Sequence, residues 1–320
     1  MTITPEQIAF RVGKIGASEA ASALGHGYGS KTRVWFYHKF TGKIVDDFKG
    51  NFACDVGNFM EPLLLKQYSK ETGREAVEAP DTFVHPDEER IICHLDGVTL
   101  SSCPERIVEI KNVGPHMKSA WAEKPPMYYY LQCAVQSMIA KIPNVDLYAY
   151  FGGNDREVYE FTFTEEDWTS VYDGLKDFLD YVDRGICPPL TAPDLPLLET
   201  YFNLNSAVGV EAKEWNAEIR GAIHGYKALK DGTKLSKDDK ATMNELEFII
   251  KKHMENANTL INRDGDVIAT WKAPKSKWTV DWEAVCDELK LKDELTVNEA
   301  IRNHTTETTP TRRFTVKGEK

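Results

Sequence analysis

Two acidic residues and a lysine stand near one another in the middle of this chain. Asp96 lies in the stretch HLDG, and Glu109 and Lys111 lie in the stretch EIK. The surrounding segments, 90–100 and 106–111, are rich in β-branched residues and predict two strands joined by a short connection. Because side chains two residues apart on a strand share a face, Glu109 and Lys111 are expected to converge with Asp96.

This set of side chains suits metal-assisted hydrolysis of a phosphodiester. Mg²⁺ prefers oxygen ligands and typically takes one or two carboxylates, while its remaining waters are available to a phosphate substrate. A neighbouring lysine can orient or deprotonate the attacking water, or neutralise charge on phosphorus. The alternative is a solvated hairpin with a Glu–Lys pair of little energetic value. The apolar flanks Ile107, Val108 and Ile110 favour a covered strand, where a buried charge needs a reason.

The composition indicates a globular protein of one large domain or two. Of its 320 residues, 42% are hydrophobic and 28% are charged, as in ordinary folded domains. We find no apolar run near about 18 residues and no apolar signal-peptide stretch at the N-terminus. We therefore expect no membrane segment and a cytoplasmic location. The net charge of −11 argues against a simple nucleic-acid coat protein, but it is compatible with an enzyme that has a local basic groove.

The hydrophobic spacing predicts an α/β (α+β) fold in which a sheet is flanked by helices. Pro5 and the spacing of Ile8, Val12 and Ile15 predict a first helix, and Ser18 is placed as the cap of a second. The motif GHGYG closes that second helix. Because it follows a helix instead of a strand, it does not match a dinucleotide-binding loop.

Further elements are predicted along the first part of the chain. A second pair of strands is expected over VDLYAYFGG and REVYEFTF. The remaining helices are expected at 32–41, at 57–72, at 127–141 and after the capping pair Thr164 and Asp167.

Three regions are predicted: 1–185, 186–205 and 206–320. The middle region has four prolines between 186 and 197 and predicts an extended linker or arm. The last region carries two amphipathic helical stripes, a hairpin turning at Asp264–Gly265 and a terminal strand. It shows no catalytic set of residues, so its expected role is oligomerisation or partner docking.

The motifs, taken in order, resemble the YqaJ-like phage recombinases, which are relatives of lambda exonuclease in the PD-(D/E)XK nuclease superfamily. The resemblance extends over roughly residues 8–190 and implies a PD-(D/E)XK nuclease core with a central mixed sheet at 1–185. It is carried by RVGKIGASEA, GNFMEPLLLKQYSKETG, HLDG, EIK and PPMYYYLQCAVQSM. Five motifs in the family's order are more specific than any single one.

The resemblance implies a role for each residue of the central motifs. Asp96 and Glu109 correspond to the metal-binding carboxylates, with the Ile110 carbonyl as a further oxygen ligand. Lys111 corresponds to the catalytic lysine. Glu61 matches an acid that reaches the metal site, although a helix-surface carboxylate before Pro62 is the alternative.

Other matching positions imply contacts with substrate. The family's helical glutamine corresponds to Gln132 or Gln136, because the local pattern QCAVQ is shifted, and helix packing is an alternative for both. Arg11 and Ser18 match a pocket for a 5′-terminal phosphate. Arginine offers a planar fork to phosphate, and a serine near a helix N-terminus adds further donors. The alternatives are a surface arginine and a plain helix cap.

The sequence departs from the family after EIK. Where the family can carry an arginine, this chain has NVGPHMK, which leaves His116 or Lys118 as candidate phosphate contacts.

The resemblance implies a Mg²⁺-dependent 5′→3′ exonuclease of a phage recombination system, with Mn²⁺ as a possible substitute. It would act on double-stranded DNA ends and leave 3′ overhangs for a single-strand annealing protein of the RecT/Redβ kind. A homo-oligomer is expected, a toroidal trimer being one arrangement, in the cytoplasm of an infected or lysogenic bacterial host. Two alternatives stay open: an endonuclease with the same fold, and a catalytically inactive DNA-binding scaffold.

Overall fold

The structure is a computed structural model, and it describes most of the chain. The described ranges are 10–44, 50–100, 105–198, 212–232, 234–272, 277–291, 296–308 and 312–317. The chain divides into two compact units, Met1–Leu190 and Thr191–Lys320. None of the described helices is long and apolar enough to cross a membrane.

The described part of the first unit combines one sheet with helices on its faces. Its strands are β1 (Ile15–Gly16), β2 (Ala76–His85), β3 (Glu88–Thr99), β4 (Arg106–Asn112), β5 (Asn144–Gly152) and β6 (Asp155–Thr162). Its helices are α1 (Ala17–Ala23), α2 (Arg33–Phe40), α3 (Phe52–Thr72), α4 (Met127–Ala140) and α5 (Glu165–Asp183), with a 3₁₀ helix at Pro115–Trp121.

The sheet is mixed. Its order is β1-β3-β4-β5-β6, and β2 pairs with β3 outside this path. β1 runs parallel to β3 and β4 runs parallel to β5, whereas the pairs β2–β3, β3–β4 and β5–β6 are antiparallel. The predicted fold class, a central mixed sheet flanked by helices, is therefore confirmed.

Strand β4 lies at the centre of the sheet and is covered on both faces. Every residue from Arg106 to Ile110 is buried. Ile107 belongs to the larger core cluster, which includes residues of α4 and α5, and Val108 belongs to a smaller one with residues of α3. Because side chains alternate along a strand, Glu109 shares the face of Ile107 and points towards the α4 side. The solvated-hairpin alternative for this strand is wrong.

Helix α3 begins earlier than the sequence indicates. It starts after Asn51, whose side chain accepts the N–H of Cys54, and ends at Gly73, whose φ of 70° is in the left-handed region. Pro62 therefore lies inside the helix and does not mark its start. The carbonyl that loses its intrahelical bond to this proline belongs to Asn58, which is exposed and can be hydrated.

The N-terminal prediction is partly wrong. Pro5 and Ile8 lie outside the described residues, and Phe10 and Arg11 are helical. Ile15, however, is fully buried in β1, where it pairs with Ile91 of β3. Val12 is 79% exposed, so it does not share a buried helical stripe with Ile15.

The predicted cap of α1 is also wrong. Gly16 occupies the cap position with extended backbone angles, and Ser18 is the second residue of the helix. No side chain caps this helix end. Strand β2 was not predicted at all.

A buried ion network lies where β4 and β5 begin. The fully buried Asp146 accepts hydrogen bonds from Tyr68 Oη (2.5 Å), Arg74 Nη1 (2.6 Å) and Arg106 Nε (2.8 Å). Both arginines also contact Glu160, which is largely exposed. We call these five residues the Asp146 network. Its two carboxylates face two guanidinium groups, so its charges are matched.

The described part of the second unit contains a helix pair and small sheets. Its elements are β7 (Ala212–Glu214), α6 (Ala217–Lys230), α7 (Lys237–Met254), β8 (Thr259–Ile261), β9 (Val267–Lys272), β10 (Lys277–Val280), α8 (Trp282–Leu291), α9 (Val297–Asn303), β11 (Thr305–Thr308) and β12 (Arg313–Val316), after a 3₁₀ helix at Ala192–Leu197. One sheet has the order β12-β9-β8-β7, and β10 pairs with β11.

Several elements of this unit match the sequence pattern. The helical hairpin corresponds to α6 and α7, and the hairpin β8–β9 turns at Asp264–Gly265, with Gly265 at φ 84°. The terminal strand is β12, antiparallel to β9. Residues 186–190 have no regular structure, and the end of the predicted proline arm, 199–205, lies outside the described residues.

The Asp146 network gives a prediction about stability. Asp146→Asn removes one buried charge and leaves Arg106, which is 9% exposed, with only the largely exposed Glu160 of the network, 3.4 Å away, as its anionic partner. Breaking a buried pair in this way costs about 3–5 kcal/mol. Faster hydrogen exchange in peptides from α3, β4 and β5 of the full chain would report this loss locally.

Glu160→Gln is the matched control, because it removes an exposed carboxylate from the same arginines. Its expected cost is about 0–1 kcal/mol. Equal effects of the two substitutions would contradict the assignment of Asp146 as the centre of the network.

Candidate active site

Glu109 is a buried carboxylate surrounded by hydrogen-bond donors. It is 1% exposed. Its Oε1 accepts hydrogen bonds from Lys111 Nζ and from Gln132 Nε2 (2.5 Å), and its Oε2 accepts one from Gln136 Nε2 (2.5 Å). An ionised carboxylate only accepts, so these donors satisfy it away from water.

Helix α4 supplies both glutamines. Gln132 and Gln136 are four residues apart, so they lie one above the other on the same helix face. Gln136 also donates to the backbone oxygen of His94 in β3 (2.9 Å). Both of the glutamines that the sequence offered therefore contact Glu109.

The amide oxygen of Gln136 is an unused acceptor. Gln136 Oε1 is buried and has no hydrogen-bond partner among the described residues. Reversing the amide would place this oxygen against the Glu109 carboxylate, so the observed orientation is the favourable one. An acceptor of this kind is available to a water molecule or another donor at the site.

Asp96 lies just beyond the point where the backbone pairing of β3 with β4 ends, and there its side chain binds the β4 backbone. Their antiparallel pairing covers Gly97–Val108 and Val98–Ile107. Next to this pairing, the Ile110 N–H donates to Asp96 Oδ2 (2.8 Å). Burial, and next the charge of Glu109, raise the pKa of Asp96 well above its ordinary value. A second negative charge is thus disfavoured here without a compensating cation.

Lys111 and Glu61 share this electrostatic environment. Burial by itself would lower the pKa of Lys111, but the carboxylates of Glu109 and Asp96 outweigh it and raise the pKa. The ammonium group therefore stays protonated. Burial, together with the charge of Glu109, raises the pKa of Glu61 on α3. Glu61 therefore lies close enough to interact with the carboxylates predicted to bind metal.

The glycine of HLDG has a steric role. A Cβ added at Gly97 would lie 2.7 Å from Leu65 Cδ1 and 3.0 Å from the Val77 carbonyl oxygen. Real Cβ atoms essentially never make the shorter contact, so α3 and β2 approach β3 closely only because residue 97 has no side chain. Asp96 is held immediately next to this contact.

Arg11 is connected to the same strand through His94. Arg11 Nη2 lies 3.1 Å from His94 Nδ1, and His94 Nε2 lies 2.8 Å from Thr82 Oγ1. A guanidinium group only donates, so Nδ1 must accept and the neutral ring carries its proton on Nε2. Burial, and next the charge of Arg11, lower the pKa of His94, which favours this neutral form.

The role of His94 was missed from the sequence. His94 and Asp96 are two residues apart on β3, and this spacing places them on the same face. That alternation was the signal that could have identified His94 as a neighbour of the site.

The other three residues predicted to contact phosphate are exposed at the surface. Ser18 is exposed on α1, and His116 is exposed in the 3₁₀ helix after β4. Lys118 Nζ forms an ion pair with Asp155 (2.8 Å), and both side chains are largely exposed. A phosphate would have to replace Asp155 as the partner of Lys118.

Comparison with known proteins gives one family match. Residues 7–143 match the family model described as the YqaJ-like viral recombinase domain. The resemblance found from the motifs is therefore confirmed over this part of the chain. No curated protein matches the chain.

Two solved structures illustrate what the chain is similar to. The alkaline exonuclease LHK-Exo from Laribacter hongkongensis is 20% identical, over 57% of this chain and 94% of that chain, with a TM-score of 0.48. A phage-related exonuclease from Haemophilus somnus 129PT is 14% identical, over 53% of this chain and 94% of that chain, with a TM-score of 0.44.

The close contact at Gly97 gives a prediction that does not depend on the reaction. Gly97→Ala forces Leu65 or the β2 backbone to move, and overpacking of this kind costs about 1–3 kcal/mol. A lower denaturation midpoint for the full chain would report it. Gly57→Ala is the control, because a Cβ at Gly57 meets no atom within 4 Å. A Gly97→Ala protein that resists denaturation like the wild type would contradict the steric role.

Proposed function

We propose that the protein is a metal-dependent 5′→3′ exonuclease acting on double-stranded DNA ends, and the premise is the match of residues 7–143 to the family model of the YqaJ-like viral recombinase domain. The observation that carries the proposal is the convergence of Asp96, Glu109 and Lys111 beside the two glutamines of α4. We call these five residues the carboxylate site.

The proposed cofactor is Mg²⁺, which Mn²⁺ would replace. Asp96 and Glu109 would hold it, with the Ile110 carbonyl and Glu61 as further oxygen donors. The described residues contain no group of three or more His, Cys, Asp or Glu side chains arranged to hold a metal ion. Mg²⁺ nevertheless typically takes one or two carboxylates, and Asp96 and Glu109 supply two, held in place by the Ile110 N–H and by the glutamines of α4. A bound ion would supply Lewis-acid activation of water and charge compensation.

The side chains of the carboxylate site then have distinct tasks. Lys111 would act as a hydrogen-bond donor to a phosphate oxygen, where it would stabilise the negative charge that builds up during attack. Gln132 and Gln136 hold Glu109 in one orientation, and the Ile110 N–H does the same for Asp96.

Arg11 supports recognition of a 5′ end. Its guanidinium group is held by His94, two residues from Asp96 on β3, a separation of about 7 Å along the strand. Its Nε is buried and has no hydrogen-bond partner among the described residues. An arginine anchored to the strand that carries Asp96 is suited to a terminal phosphate while a neighbouring diester lies at the carboxylates.

Three further parts of the proposal follow from the family. Digestion would leave 3′ single strands within a phage recombination system, and a single-strand annealing protein would receive them. The working form would be a homo-oligomer. The two alternatives predict different digestion: an endonuclease would cut closed circular DNA as well as linear DNA, and an inactive scaffold would cut neither.

Two substitutions test the proposed roles of Glu109 in metal binding and of Lys111 in hydrolysis. Glu109→Gln keeps the size of the side chain but removes one negative charge. DNA hydrolysis is expected to fall by more than the roughly 10–100-fold that outer-shell partners of a metal contribute. Lys111→Ala should also stop hydrolysis, while calorimetry with Mg²⁺ or Mn²⁺ should show that metal binding is retained.

Glu160→Gln is the control for these variants, since it removes an exposed carboxylate from the Asp146 network. Near-normal digestion by a folded Glu109→Gln protein would refute the assignment of this carboxylate.

Arg11→Ala separates an exonuclease from an endonuclease. Charge-assisted hydrogen bonds contribute about 1.5–3 kcal/mol each, so digestion of 5′-phosphorylated duplex should slow by roughly tenfold or more. Digestion of a 5′-hydroxyl duplex should change much less. The measurement uses end-labelled linear duplexes of both kinds and a covalently closed circle, which the wild type should leave intact.

Lys14→Ala is the matched control, because Lys14 is a nearby cation whose Nζ bonds the Glu89 carbonyl. It should preserve the preference for a 5′-phosphate. Equal slowing of both linear substrates by Arg11→Ala would give Arg11 a general or structural role, and rapid cutting of the circle would favour an endonuclease.

A further inference from the structure

A row of aromatic rings leads from the carboxylate site to the surface. The Tyr129 ring lies 5.5 Å from Lys111 Nζ. Its centroid is 4.4 Å from that of Tyr128, which in turn is 5.4 Å from that of Tyr28. Three contacts, none longer than 5.5 Å, therefore connect the catalytic lysine with Tyr28.

The inner part of this row is rigidly supported. Tyr129 packs against Trp121 with a centroid distance of 5.0 Å, and Trp121 is 1% exposed. Burial, together with the neighbouring Tyr129, raises the pKa of Tyr128 to about 12. Its hydroxyl therefore stays neutral near neutral pH, and the ring presents no negative charge to DNA.

The outer ring is both fixed and exposed. Tyr28 belongs to the motif GHGYG, whose backbone folds back so that the Lys31 N–H donates to the Tyr28 carbonyl (3.1 Å). A Cβ at Gly27 would lie 1.7 Å from the Lys31 carbonyl oxygen, so only glycine allows this tight loop. Tyr28 is 62% exposed. Its contact with Tyr128 is edge-to-face, with an interplanar angle of 66°, which leaves ring surface uncovered.

We propose that Tyr28, supported by Tyr128, stacks on a nucleobase of the DNA strand being digested, close to the scissile phosphate. This rests on the proposed function, which brings a phosphate to Lys111. The base attached to that nucleotide, or to the next one, must then lie within reach of the aromatic row. Every base has an aromatic face, so stacking tolerates any sequence, as a non-specific exonuclease requires.

Stacking of one base on an aromatic side chain corresponds to about 5- to 150-fold in affinity. Tyr28→Ala removes the ring, and Tyr28→Phe keeps it without the hydroxyl. With 5′-phosphorylated duplex, Tyr28→Ala should raise KM within that range and leave kcat nearly unchanged, while Tyr28→Phe should behave like the wild type. Trp282→Ala, which removes a ring that is 60% exposed in the second unit, should have no effect.

An abasic substrate shows whether the ring acts through a base. When the terminal nucleotides lack their bases, the wild type and Tyr28→Ala should have the same KM. An equal loss on normal and abasic DNA would overturn the proposal, because the ring would then serve the fold or the backbone. An unchanged KM of Tyr28→Ala on normal DNA would overturn it as well.

Binding without cleavage separates this proposal from the proposed function. In the presence of a chelator, 2-aminopurine near the 5′ end should lose fluorescence on binding to the wild type and to Tyr28→Phe, but not to Tyr28→Ala. If the wild type fails to digest DNA but quenches through Tyr28, the stacking site stands and the exonuclease proposal fails. If it digests DNA without this quenching, only the stacking proposal fails.

An exposed ring can also form part of a contact between copies of the chain, and the mass of the protein in solution tests this alternative for Tyr28. Tyr28→Ala should keep the wild-type mass. A smaller assembly would place Tyr28 in a subunit interface and overturn the stacking assignment.

Discussion

The negative charge of Glu109 inside a covered strand is the constraint on which the rest of the site depends. A carboxylate that is 1% exposed must find its donors within the protein. Lys111 can reach it only from the same face of β4, and Gln132 and Gln136 can reach it only if α4 lies across that face with one particular rotation. Satisfying one charge thus fixes the position of a helix, and the position of that helix in turn places Tyr128 and Tyr129 at the edge of the site.

The two ends of β4 use buried charge in different ways. In the Asp146 network, two guanidinium groups face two carboxylates, so the protein neutralises its own charge and the network can serve the fold alone. Among the described residues at the carboxylate site, Asp96 and Glu109, with Glu61 nearby, face one ammonium group, that of Lys111, so the carboxylates outnumber it. Burial, and next the charge of Glu109, raise the pKa of Asp96. A stabilising network has no need of such an imbalance, whereas a cation site does.

Sequence reasoning succeeded where the determining pattern is local. Alternation along a strand put Glu109 and Lys111 on one face, and a capping box marked the start of α5 at Thr164. Sequence reasoning failed where an element or a contact depends on residues far apart in the chain. β1 exists because two residues pair with β3 about 75 positions later, and Asp146 finds Tyr68 across 78 positions. By local propensity Pro62 fits a helix start, yet it lies inside a helix that begins at Phe52.

His94 connects Arg11, which we propose binds the 5′ end, with the strand that carries Asp96, which we propose takes part in the chemistry. Its ring holds Arg11, its backbone oxygen accepts from Gln136, and its strand continues directly to Asp96. A displacement of β3 would therefore move the arginine and the carboxylate together and keep the distance between them. If a terminal phosphate binds at Arg11, as we propose, that distance decides which phosphodiester lies at the carboxylates. In the proposed function, an arginine held by His94 of β3 would keep a constant distance from Asp96 on the same strand, and this distance would set the position of cleavage relative to the end.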